Sequence, residues 1–202
     1  MALLALGLFV VWFLVVFVAR TVKQKRATGD SGVRTGALSA PVGSIEWVAG
    51  WMLVLALLAG AMAPVVELLG LGPIFASDPV RVVGVIVAVV GIVLTSLAQS
   101  AMGKEWRIGV DAGERTGLVT AGAFAIVRNP IYTAMFGTAV GLVVMVPNWV
   151  AVVGFVLLVA SVELQVRFVE EPHLRRLHGE EYAAYQARVG RFVPGVGRFR
   201  LG

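Results

Sequence analysis

The chain has 202 residues, 58% hydrophobic and only 14% charged, with a formal net charge of +5 and a mean hydropathy of +0.88. A soluble domain carries roughly 25% charged residues, so the composition excludes an ordinary soluble fold and points to one integral membrane domain. The lack of cysteine excludes disulfides, thiolate metal sites and a cysteine nucleophile, and two histidines, His173 and His178, are too few for a histidine-rich metal centre.

A helix crossing a bilayer needs about 20 apolar residues, and the first such run covers residues 2–19. Arg20 follows the run and no basic residue precedes it. It therefore reads as a reverse-oriented anchor, not as a signal peptide. Residues 27–43, rich in Gly, Ser and Thr, read as a flexible loop, and the Thr28-Gly29-Asp30-Ser31-Gly32 run lacks the lysine of a phosphate-binding loop. A second span covers 45–66. Residues 69–78, with Gly70, Gly72 and Pro73, form a loop that leads into a third span over 80–101. Glu105-Trp106-Arg107 then falls where an anchor at headgroup level is expected.

The last two apolar runs, 131–146 and 149–169, read as a hairpin turned at Pro147-Asn148, with a short first arm. Gly137 and Gly141 stand four residues apart, spacing that lets a neighbouring span approach closely. Beyond Pro172 an amphipathic pattern returns through Leu174, Leu177, Tyr182, Tyr185 and Val189, and Gly179 divides it into two short helices. His173 and His178 read as interfacial residues of this tail.

The expected fold is all-α: a polytopic membrane helical bundle of about five transmembrane helices, with short amphipathic C-terminal cytoplasmic helices. Residues 1–202 form a single membrane domain, in which 1–101 supply three N-terminal spans and their loops and 102–202 the last two spans and the tail. Charge sets its orientation. With five spans, every basic residue except Arg81 falls on one side: Arg20, Lys23, Lys25, Arg26 and Arg34, then Lys104, Arg107, Arg115 and Arg128, then Arg167 and the tail arginines through Arg200. The positive-inside rule puts that side in the cytoplasm and the N-terminus outside. This placement explains the net positive charge without nucleic acid, and a bacterial inner membrane is the expected location.

Ionisable groups near membrane depth usually face a protein interior or a wet cavity. Glu163, Arg167 and Glu170 are spaced by four and three residues, so an α-helix places them on one face, with Glu171 on the adjoining flank. Two readings follow: a self-neutralising ladder at the interface, or a polar pocket at the cytoplasmic end of the bundle. A second cluster, from Gly117 to Tyr132, lies on the same side. Its glycines leave backbone groups free to meet a ligand, and Asn129-Pro130 starts a helix.

The two clusters together resemble a known family. Leu118-Val119-Thr120, Gly122, Phe124, Val127-Arg128-Asn129-Pro130 and Tyr132 form its first segment. Arg167, Glu170-Glu171, Leu174, Gly179, Tyr182, Tyr185, Val189, Arg191 and Pro194 form the second. The pattern is similar to that of the integral membrane methyltransferases related to isoprenylcysteine carboxyl methyltransferase and phospholipid N-methyltransferases. It covers roughly residues 90–195, and the first two spans take no part in it.

The resemblance implies an S-adenosylmethionine-dependent methyltransferase whose core, 102–202, binds the cofactor at the cytoplasmic face and takes a lipophilic acceptor from the bilayer. Carried over position by position, Gly122, Phe124, Ala125 and Val127 lie along the cofactor, and Arg128, Asn129 and Tyr132 shape its pocket. Glu170 and Glu171 hold its polar portion, with Leu174, Tyr182 and Tyr185 on the lower wall. Glu170, Arg128, Glu163 and Arg167 are the candidate catalytic residues. Many members have histidine at the position of Asn129, and asparagine supplies hydrogen bonds but no general base. The acceptor is left open among carboxylate, thiol, phenol and amine. The alternatives are a non-enzymatic membrane binding or assembly protein on the same scaffold, or a small transporter.

Overall fold

A computed structural model describes residues 1–33, 36–107 and 117–199. Arg34, Arg115 and Arg200 of the charge pattern lie outside the described residues, as does the Lys104 side chain. The chain forms five main helices: α1 Ala2–Thr28, α2 Ile45–Leu68, α3 Asp78–Met102, α4 Pro130–Met145 and α5 Trp149–Arg188. Four are long and apolar enough to cross a membrane, and α4 is the short arm of the expected hairpin. At 16 residues α4 is about 24 Å long, less than the ~30 Å hydrocarbon core. The 40 residues of α5 make about 60 Å at 1.5 Å each, so its C-terminal half extends past the bilayer. Gly179 bends that half (φ 51°, ψ −123°), a backbone conformation that side chains rarely tolerate.

The ends of the spans are set by local chemistry. Ser44 accepts a hydrogen bond from the Trp47 N–H at 3.2 Å to cap α2. Asn148 is buried and closes the α4–α5 turn at both ends of its side chain. Its Oδ1 accepts from the Ala151 N–H at 3.0 Å, and its Nδ2 donates to the Ala63 carbonyl of α2 at 2.9 Å. In a bilayer every such group needs an internal partner, so this asparagine ties the hairpin to α2.

Antiparallel pairs build the bundle. α3 packs on α4 through glycine: a Cβ added to Gly84 would stand 2.8 Å from the Gly141 carbonyl oxygen. Gly141 therefore makes the close approach that its spacing predicts, but toward Gly84, while Gly137 faces open space. α2 packs on α5, where the Ser161 hydroxyl donates to the Ala49 carbonyl at 2.8 Å. α1 crosses both pairs, with Phe9 over Gly60 and the Val16 carbonyl accepting from Gln99 Nε2 at 3.0 Å. Ile86, Leu97, Leu58 and Val156 turn outward, each more than half exposed, as a lipid-facing surface requires. Arg81, the basic residue at the opposite end, pairs with Glu67 at 3.1 Å.

Residues 27–43, expected to be a plain loop, include a one-turn helix, Gly36–Ser39, that packs on α2 at Gly50.

Candidate active site

The first site segment enters α4 through a 3-10 turn at Gly122–Ala125. Phe124 and Val127 are buried, and Ala125 is exposed. Val127 pairs with Gly190 in an isolated parallel bridge, which lays the tail beside this segment. The tail then folds back under the start of α4. Asn129 gives both its backbone N–H (3.1 Å) and its side-chain Nδ2 (3.2 Å) to the Arg191 carbonyl, and the Thr133 hydroxyl donates to the Phe192 carbonyl at 2.9 Å.

Arg128 is the hub of this contact. Its guanidinium is buried and donates to the carbonyls of Gln186 (3.2 Å), Val189 (2.5 Å) and Gly197 (3.1 Å), and to Glu171 Oε1 at 2.8 Å. Glu171 is also gripped by Arg191 through two bonds of 2.7 and 2.9 Å. Those bonds hold the Arg191 guanidinium above its ordinary pKa. A carboxylate forked by arginine and met by a second arginine is a strong, directional arrangement.

The neighbouring carboxylate points elsewhere. Glu170 Oε1 accepts from the Tyr132 hydroxyl at 2.8 Å, and both residues line a cavity of about 390 Å³. Phe124, Arg128, Asn129, Leu174, Tyr182 and Tyr185 line it too, so the two sequence clusters meet around one space. Tyr185 fixes the turn by donating from its hydroxyl to the Phe124 carbonyl at 2.6 Å.

The structure separates residues that an ideal helix would have aligned. Glu163 pairs with Arg167 on an exposed face, and neither lines the cavity. The cause is a π-helical segment at Gln165–Glu170. Seven α-helical residues return to nearly the same face, whereas the one extra residue of a π-turn shifts the phase by about 100°. Glu170 is thereby turned inward while Glu163 and Arg167 stay outside. Gly122, Ala125, Val127 and Glu171 also lie off the lining; Val127 and Glu171 hold the segments that form it.

Several lining residues escaped the sequence reading. His173, assigned there to the interface, faces the cavity, as do Gln165, Glu105 and Trp106. Trp106 is almost fully buried and carries the Arg20 guanidinium 4.8 Å from its ring centre. The other wall belongs to the first two spans: Val16 and Phe17 from α1, Leu53, Val54 and Leu57 from α2. Their only sequence signal was apolarity, which lipid-facing residues share.

The fold and site define a polytopic membrane protein with an internal cavity that is carboxylate-bearing at one end and apolar at the other. Residues 80–181 match the sequence model of the phospholipid methyltransferase family, and the chain belongs to that family. It is 31% identical over 115 residues to protein-S-isoprenylcysteine O-methyltransferase A of Arabidopsis thaliana, an alignment covering 56% of this chain and 58% of that protein. A probable protein-S-isoprenylcysteine O-methyltransferase of Oryza sativa subsp. indica is 29% identical over 117 residues, covering 57% and 61%. The chain thus spans about three-fifths of the length of these curated relatives. Among solved structures, a eukaryotic intramembrane Ras methyltransferase, isoprenylcysteine carboxyl methyltransferase, superposes with a TM-score of 0.53 over 80% of this chain and 56% of that one. At 22% identity that likeness concerns the fold.

Proposed function

We propose that the protein transfers a methyl group from S-adenosylmethionine to a lipophilic acceptor at the cytoplasmic membrane face. The observation that carries this reading is the large cavity in which the Phe124–Tyr132 segment meets Glu170, Leu174 and the two tail tyrosines, with an apolar wall from α1 and α2. Its volume lies within the range of small-molecule and cofactor sites.

The residues present fit the cofactor. The Glu170 carboxylate suits an ammonium or ribose hydroxyls, and Phe124, Tyr182 and Tyr185 offer aromatic surface to a purine. Arg128 Nε is a buried N–H without an acceptor among the described residues, on a side chain that lines the cavity. It suits a ligand carboxylate. The cofactor, when bound, supplies an activated methyl on a sulfonium. Glu170 orients the polar end, the Tyr185 hydroxyl fixes the floor, and the apolar wall excludes water from the acceptor's path. Tyr132 holds Glu170 toward the cavity. Arg128 and Glu171 act chiefly by pinning the tail, and Glu163 and Arg167 neutralise each other on the outer face of α5.

The plant relatives are O-methyltransferases of isoprenylcysteine by name, and a carboxylate acceptor on a prenylated cysteine suits this cavity. A carboxylate needs no base, which agrees with asparagine at position 129. The basic end of the bundle faces the cytoplasm under the positive-inside rule.

The test is calorimetric titration of detergent-purified protein with S-adenosylhomocysteine, with ATP and adenosine as controls. Labelled methyl transfer to an S-prenylated cysteine, a fatty acid, a lipophilic phenol and an amine-bearing phospholipid follows. Selective micromolar binding and transfer to at least one acceptor are expected. No binding in protein shown to be folded overturns the reading.

A further inference from the structure

A second cavity, of about 50 Å³, lies deeper in the bundle, walled by Phe9 and Trp12 of α1, Gly60 and Ala63 of α2, Ala139 of α4 and Gly154 of α5. Leu57 and Met135 line both this cavity and the large one, so these two side chains form the partition between them. Met135 stands one turn beyond Tyr132 on α4, and Leu142 and Val143 at the far end of the chamber stand about 16 Å along the axis. The chamber is therefore in line with the site.

Small side chains create the space. Ala63, Ala139 and Ala151 stand where larger residues would close it, while Gly60 and Gly154 let Phe9 and Ala59 pack close. A buried water needs two to four polar partners. The Thr138 hydroxyl is already donated to the Ala134 carbonyl at 3.2 Å, and the Trp12 N–H is a single buried donor. Those are the two polar side chains among the described lining residues, and the chamber is otherwise apolar, with room for roughly four groups the size of a water molecule.

We propose that this chamber receives the distal end of the acceptor's apolar chain, passing between Leu57 and Met135, and so sets the chain length the enzyme prefers. The proposal rests on the methyl-transfer reading for the identity of the occupant. Flexible methionine and leucine side chains suit a partition that parts for a chain. Each methylene moved from water into the chamber tightens binding about fourfold, so an acceptor that reaches the chamber outcompetes one that stops short.

The test uses single-chain amphiphiles with one carboxylate head, graded chain lengths and a photoreactive diazirine at the chain end, on the full-length protein. Wild type is expected to bind them with rising affinity until the chamber is filled, and to be labelled on Gly60, Ala139 or Gly154. Ala139→Phe fills the chamber. It is expected to weaken the longest chains about tenfold or more, leave the shortest within about twofold, and abolish that labelling. Ala151→Leu, which fills the chamber from α5 instead, gives the same pattern should Ala139→Phe not fold. Equal weakening at all lengths, no length dependence, or labelling confined to lipid-facing Leu55 and Leu58 overturns the proposal. S-adenosylhomocysteine titration of the same samples separates the two readings. Lost cofactor binding in wild type sinks methyl transfer, whereas intact cofactor binding without a length effect sinks the chamber.

Discussion

The Tyr132 hydroxyl donates to Glu170 Oε1 at 2.8 Å, which joins the first turn of α4 to the π-helical segment in the middle of α5 at the cavity wall. Both partners come from the family-like segments, yet 38 residues separate them. The bond selects which of two adjacent carboxylates faces the cavity. Glu171, one residue on, is held by Arg128 and Arg191 instead.

Glu170→Gln is expected to weaken S-adenosylhomocysteine binding by about 1.5–3 kcal/mol, the scale of a hydrogen bond to a charged group. Tyr132→Phe should weaken it by less, because the carboxylate remains but loses its fixed direction. Titration calorimetry checks both, and unchanged binding in Glu170→Gln removes that residue from the site.

Glu171→Ala leaves Arg128 buried without its counter-charge. The expected cost is about 3–5 kcal/mol of stability, seen as a lowered midpoint in thermal unfolding. Replacing the exposed pair partner, Arg167→Ala, should cost no more than about 1 kcal/mol. Equal effects at the two positions would contradict the burial difference between these ion pairs.

Truncation after Arg188 removes Val189, Gly190 and Gly197, whose carbonyls receive Arg128 and its backbone N–H. Activity is expected to be lost while helical circular dichroism of the bundle is retained. Full activity in the truncated protein would show that the tail does not position the site.

Gly141→Leu forces α3 and α4 apart at a close contact, where Gly84 and Ala88 leave no room for a side chain. Overpacking of this kind costs about 1–3 kcal/mol or more. Gly137→Leu, facing open space, should be tolerated. Detergent-resistance melting curves distinguish the two.

Reporter tags at residues 1 and 202 are expected on opposite membrane faces, as five crossings require. Protease protection in sealed inverted vesicles checks it, and tags on the same face would break the topology.

The sequence by itself determined the five apolar helices, their alternation and the end of the bundle at which the site lies. Those properties follow from the length of each apolar run and from the side on which charges are stranded, both local quantities. The resemblance of the Leu118–Tyr132 and Arg167–Pro194 segments to two motifs of one family implied that they belong together. Three things were decided by tertiary structure alone. The π-segment at Gln165–Glu170 turned Glu170 away from Glu163 and Arg167, a phase shift that ideal helical spacing does not contain. The buried arginines divided Glu170 from Glu171, since a carboxylate's role depends on which cations reach it. The cavity wall from α1 and α2 arose from packing, because an apolar side chain facing lipid and one facing a ligand obey the same hydropathy, and only the neighbouring helix separates them.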